Sequence, residues 1–134
     1  VALVMADLAA FLAENGALPW AWGSVDCCMV LADWALTNGH NDLLAQYRGA
    51  YDDEAGCLAI VVERGGVLPI VGDGCARVGL TATNFRSAGV LAVIGSLTSP
   101  TRQWGAIWDG SRWLVRGVAG FGPMTAPTLG MWSV

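Results

Sequence analysis

The sequence contains no lysine and a single histidine, His40. Charged residues make up 13 % of its 134 positions, where about 25 % is usual. The cations are seven arginines (Arg48, Arg64, Arg77, Arg86, Arg102, Arg112 and Arg116), dispersed singly, and the net charge is −4. A nucleic-acid partner calls for cations clustered on one face, so that class is excluded. No basic amphipathic stretch addresses a membrane surface. No apolar run reaches the roughly 18 residues that mark a membrane-spanning helix. The opening stretch "VALVMADLAAFLAENG" is interrupted by Asp7 and Glu14 and has no basic n-region. It is not read as a signal peptide. The four cysteines, Cys27, Cys28, Cys57 and Cys75, form no CxxC pair. With one histidine to join them, no metal or other cofactor is expected. Without a secretion signal the thiols are expected to be free. As neighbours on a helix, Cys27 and Cys28 are expected to point apart rather than to bond.

Hydrophobic residues and tryptophan are in excess, at 54 % and seven residues. The length fits one domain over residues 1–134. A chain this short has little interior in which to hide so many large aromatics. Faces covered by partners in an assembly are therefore expected.

Along the chain, Leu3, Leu8, Phe11 and Leu12 have helical spacing, with Gly16 as a stop. "GALPWAWG" is a turn-rich link. Ser24 is placed to cap a second helix carrying Cys27, Leu31 and Trp34, and Gly39 is its expected C′ residue. "LLAQYRGAY" reads as a short helix or turn. Asp52 or Asp53 caps a third helix through "EAGCLAIVVER", ending at Gly65-Gly66. "VLPIVGDGCARVGL", punctuated by Pro69, Gly72 and Gly74, reads as a short helix or loop. After about residue 85 the texture changes. "GVLAVIG" predicts a strand. "WGAIWDGSRWLVRG" predicts two strands joined at Asp109-Gly110, and "LGMWSV" a last one. Helices first and antiparallel strands later is an α+β order.

The segment "WAWGSVDCCMVLADWAL" (20–36) carries the most chemistry. With Ser24 as cap, Cys27 falls in the first helical turn, where free N–H groups and the helix dipole favour a thiolate. A thiol nucleophile also needs a base, commonly an imidazole oriented by a third polar group. Asp26, one residue earlier, suits positioning of the loop or capping of its own helix. The acids of "YDDEAG" (51–56) read as a solvated helix start rather than a cation site. "GVAGFG" lacks the spacing and context of a nucleotide-binding loop.

The Trp-Gly turn followed by Asp-Cys at a helix start resembles the nucleophile segment of the NlpC-type cell-wall endopeptidases. These are papain-like enzymes that cut the peptide stems of peptidoglycan. The match carries onto Trp22, Gly23, Asp26 and Cys27. "YRGAY" (47–51) and "ERGG" (63–66) resemble a narrower, phage-tail-associated branch, and "SAGVLAVIG", "WGAIWDGSRWLV" and "MWSV" follow its order. The resemblance implies a papain-like α+β fold, with N-terminal helices, one starting at the Asp-Cys motif, packed on a small antiparallel sheet. It implies Cys27 as the nucleophile position. The base would begin the strand at "QWGAIW", where this chain has Trp104, with Gln103 beside it.

Three departures matter. Cys28 stands where the enzymes have a serine. Ala88-Gly89-Val90 stands where they have a Gly-Asp step. Trp104 or Gln103 stands where they have histidine, and neither serves as a general base. His40 lies thirteen residues from Cys27, about 20 Å along a continuous helix, against a hydrogen-bond reach of about 3 Å. Two readings follow. In the first, the chain is a structural component of a phage or phage-like tail tip that has lost catalysis. It would be made in the host cytoplasm, assembled with other tail-tip proteins and carried in the virion. In the second, it is an active cysteine endopeptidase acting on host peptidoglycan through Cys27.

Overall fold

A computed structural model of the chain describes residues 6–134. Four helices precede six strands: α1 (Leu8–Ala17), α2 (Met29–Thr37), α3 (Glu54–Arg64), α4 (Val67–Val78), β1 (Thr81–Ala82), β2 (Leu91–Gly95), β3 (Gln103–Trp108), β4 (Trp113–Gly117), β5 (Gly120–Pro123) and β6 (Thr128–Ser133). The expected α+β order holds.

Local chemistry explains most boundaries. Asp7 caps α1 by accepting from the Ala10 N–H. Leu3 lies outside the described residues. The stop expected at Gly16 falls inside the helix instead. The helix ends at Leu18 because Pro19 forces its predecessor into extended backbone. At the end of α2, Gly39 adopts φ +89, its N–H reaching Leu36 O and that of His40 reaching Ala35 O. That pair of bonds is a Schellman motif. Asp53 caps α3, and Gly65 closes it in the left-handed region.

The stretch read as a short helix or loop is the twelve-residue α4. Pro69 is its third residue, where a backbone N–H has no partner within the helix. Gly74 is there for contact: any side chain would run into the Leu43 carbonyl oxygen.

The sheet is antiparallel, in the order β1-β6-β2-β3-β4-β5. The Asp109 carboxylate gathers the N–H groups of Ser111 and Arg112 and shapes the β3–β4 turn. β1 and β5 were not expected from the sequence. β6 does close the sheet, but it lies inside it, between β1 and β2.

Alternation along the strands divides the core. Leu91, Val93 and Ile107 pack with the helices around the fully buried Trp34. Val90, Ala92, Ile94, Ala106, Trp113 and Val115 form a second cluster. The Trp34 indole N–H donates to Gly89 O at 2.9 Å, pinning α2 to the entry of β2.

Candidate functional site

The turn before α2 is organised by Asp26, which is 1 % exposed. Its Oδ1 accepts from the N–H groups of Cys28 (3.0 Å) and Met29 (2.8 Å). Its Oδ2 accepts from the Gly23 N–H (2.9 Å) and the Tyr51 hydroxyl (2.6 Å). Asp26 O also accepts from the Val30 N–H, so Asp26 serves as the cap of this helix. The cap expected at Ser24 is therefore corrected. Ser24 Oγ turns back to Ala21 O at 3.4 Å, inside a tight turn closed by Ala21 and Val25. Asp26 displaces it because a buried carboxylate beside three free N–H groups is the stronger acceptor.

Gly23 has φ +85, and a side chain there would collide with the Tyr51 carbonyl oxygen. Its own carbonyl accepts from the Gly49 N–H at 2.9 Å. The Trp-Gly step thus lets the 47–51 segment lie close enough for Tyr51 to reach Asp26.

Cys27 and Cys28 have sulfurs 4.0 Å apart. The expectation that they point apart is corrected. Both precede the regular part of α2, so the stagger of about 100° between successive helical side chains has not set in. All four cysteines are free. The hydrogen bond shared with Cys27, reinforced by burial, holds the Cys28 thiol well above the usual range. Burial, then the neighbouring Cys27 and Asp26, pushes the Cys57 thiol up to about 11. Burial also raises the Tyr51 hydroxyl, with Asp26 adding to it.

Cys27, Cys28 and Cys57 share a groove of about 180 Å³ with Trp22, Glu54, Gln103 and Trp104. The helix start comes close to β3 because residue 105 is glycine. A methyl group there would lie 2.5 Å from Cys27 O and 2.8 Å from Leu31 Cδ1. Strand alternation puts Gln103 on the same side as Gly105, and Trp104 with the second cluster, which Cys27 also touches. Gln103 is buried and committed at both ends. Its Oε1 accepts from the Leu68 N–H at 2.9 Å, and its Nε2 donates to Ser96 O at 2.9 Å. Trp104 offers only a donor. His40 sits beyond the opposite end of α2 and takes no part in lining the groove. Glu54 stands on the exposed rim, and among the described residues no hydrogen bond joins it to a thiol. Also among the described residues, no three His, Cys, Asp or Glu side chains converge as a metal cage.

From the sequence, Cys57 was read only as a free thiol, Glu54 only among the acids of a solvated helix start and Tyr51 only within "YRGAY"; none was placed at this site. Tyr51 is 25 residues from Asp26, and no local pattern announces a contact at that range.

Over residues 2–126 the chain matches a family model described as a domain of unknown function, DUF6950. The chain belongs to this family. The matched span contains every residue lining the groove and stops short of β6. No curated protein and no solved structure matches the chain. No single helix among the described residues is long and apolar enough to cross a membrane.

Proposed function

We propose that this chain is a structural subunit of a phage or phage-like tail tip, built on a degenerate NlpC-type, papain-like hydrolase fold. One observation carries the reading: among the described residues, none lining the Cys27 groove is hydrogen-bonded so as to take a thiol proton. A cysteine nucleophile needs a base within about 3 Å. Asp26 already accepts four hydrogen bonds. Gln103 is bonded at both ends, and Trp104 occupies the position where the resemblance places the base. Helix, thiol and strand keep the layout of a nucleophile site while its proton acceptor is missing.

Phe85, Val118, Leu97 and Val62 are 75, 74, 70 and 61 % exposed, apolar side chains available to partners in an assembled subunit. The partners in this reading are other tail-tip proteins, and the location is the virion.

Two measurements test it. Mixed with the other tail-tip proteins of its own genome, the chain is expected to co-elute as a complex of defined mass. A lone monomer in every mixture would remove the structural reading. In digests of purified peptidoglycan, native chain and Cys27→Ala are expected to release equal, background amounts of stem peptide. Excess product from the native chain would restore the endopeptidase reading.

A further inference from the structure

Cys27 and Cys28 form a close pair of sulfurs on the wall of an open groove, 4.0 Å apart. A direct S–S bond is about 2.05 Å long. Closing one would draw the sulfurs together by about 2 Å and disturb the turn whose N–H groups are tied to Asp26. A single atom bridging both sulfurs asks for less. Two bonds of about 2.3 Å, the length of a zinc–thiolate bond, span about 4 Å at a wide angle and about 3.3 Å near the right angle of a pyramidal trivalent centre, so the sulfurs need close by about 0.7 Å at most. The resting separation suits a bridged pair better than a disulfide.

The surroundings select the bridging atom. Hard cations want several oxygen ligands. Zinc wants four ligands, and no cage of three converges among the described residues. A soft centre content with two sulfurs remains. Charge narrows it further. The carboxyl of Asp26 is buried immediately beside the pair, so a bridge leaving a net anion is disfavoured there. A monovalent cation on two thiolates leaves such an anion. A trivalent organoarsenic centre does not.

We propose that Cys27 and Cys28 form a dithiol site for a trivalent organoarsenic compound. The step is a condensation. An oxide R–As=O meets two thiols, two As–S bonds form, and the As=O bond breaks. The two thiol protons leave with the oxygen as one water. Arsenic stays trivalent, so no oxidant or reductant is consumed. The organic group R then lies in the groove that Trp22 and Trp104 line.

The test uses the full chain and phenylarsine oxide at equimolar concentration, read by intact-protein mass and thiol titration. The native chain is expected to gain one phenylarsenic unit and, titrated in denaturant afterwards, to show two of its four thiols blocked. Cys57→Ser and Cys75→Ser should behave likewise. Cys27→Ser and Cys28→Ser should each bind about 100-fold more weakly, the scale lost when a second linked contact is removed. On the native chain, alkylation in denaturant after arsenical treatment should label Cys57 and Cys75 and spare the pair, a readout that does not depend on any variant folding. Four thiols titrating in denaturant after arsenical treatment of the native chain would overturn the proposal. So would undiminished capture by folded Cys27→Ser, or loss of capture in folded Cys57→Ser.

Discussion

Asp26 is the residue on which the helix start depends, and the reason is hydrogen-bond stoichiometry. Its two oxygens take four donors from three separate stretches of chain. Removing one donor leaves the carboxylate buried and short of a partner. Tyr51→Phe is therefore expected to lower unfolding stability by about 1.5–3 kcal/mol, the value of a bond to a charged group. Urea denaturation measures it, and an unchanged midpoint would show that Asp26 does not rely on this hydroxyl. Gly23→Ala should cost more than the roughly 1–3 kcal/mol of a non-glycine residue in a disfavoured backbone region, because the added methyl also meets Tyr51 O. Thermal unfolding of the variant is the check. This part of the site was half legible in the sequence. Asp26 as a cap follows from its place before an apolar helix. Its third and fourth donors come from a turn glycine and a distant tyrosine, which only the folded chain brings together.

Among the elements, α1 is held by an unusual fixing. Arg116 on β4 is 1 % exposed. Its guanidinium donates to Asn15 Oδ1 and Asn15 O at 3.0 Å each, to Leu18 O at 2.5 Å and to Gly117 O. All four acceptors are neutral oxygens, and two of them, Asn15 O and Leu18 O, are carbonyls at the C-terminal end of α1, the first shared with the Leu18 N–H. Arg116→Met keeps the stem and loses the bonds. It is expected to destabilise the fold by about 3 kcal/mol or more, with amide exchange rising first in α1. Uniform protection across α1 and α2 in that variant would show that Phe11 against Trp34 (ring centroids 5.1 Å apart) suffices to hold the helix. Sequence legibility also divides by element. Caps and the Asp109-Gly110 turn are local chemistry, so α3 and the β3–β4 hairpin were readable. α4 was not, because Pro69 and Gly74 look like breakers until one sees that the first is within the opening turn and the second is pressed against Leu43. β1, at two residues, was too short to leave a periodic signal, and β5 was short and half glycine.

For the molecule as a whole, buried thiols set the response to alkali. Burial raises Cys75 from the ordinary 9.0 to about 12 and Cys57 from 9.0 to about 11. Each keeps its proton in the folded chain at a pH where the unfolded chain has released it. Stability is thus full below pH 9 and falls as pH rises through 9 toward 11 and 12. The slope is at most about 1.4 kcal/mol per pH unit for each thiol, less for the half-exposed Cys57. Cys75→Ala should flatten the decline in melting temperature between pH 9 and 11, and an identical slope would assign it to other groups. The sheet carries a second whole-molecule consequence. β6 pairs with β2 on one side and β1 on the other, so a strand made after the other five joins two parts made earlier. During synthesis the helices and the β2–β5 meander can emerge and pack while a slot beside β2 stays open. The sheet therefore stays unfinished until β6 has emerged, and any stall before Thr128 leaves a bare strand edge for a neighbouring chain to fill.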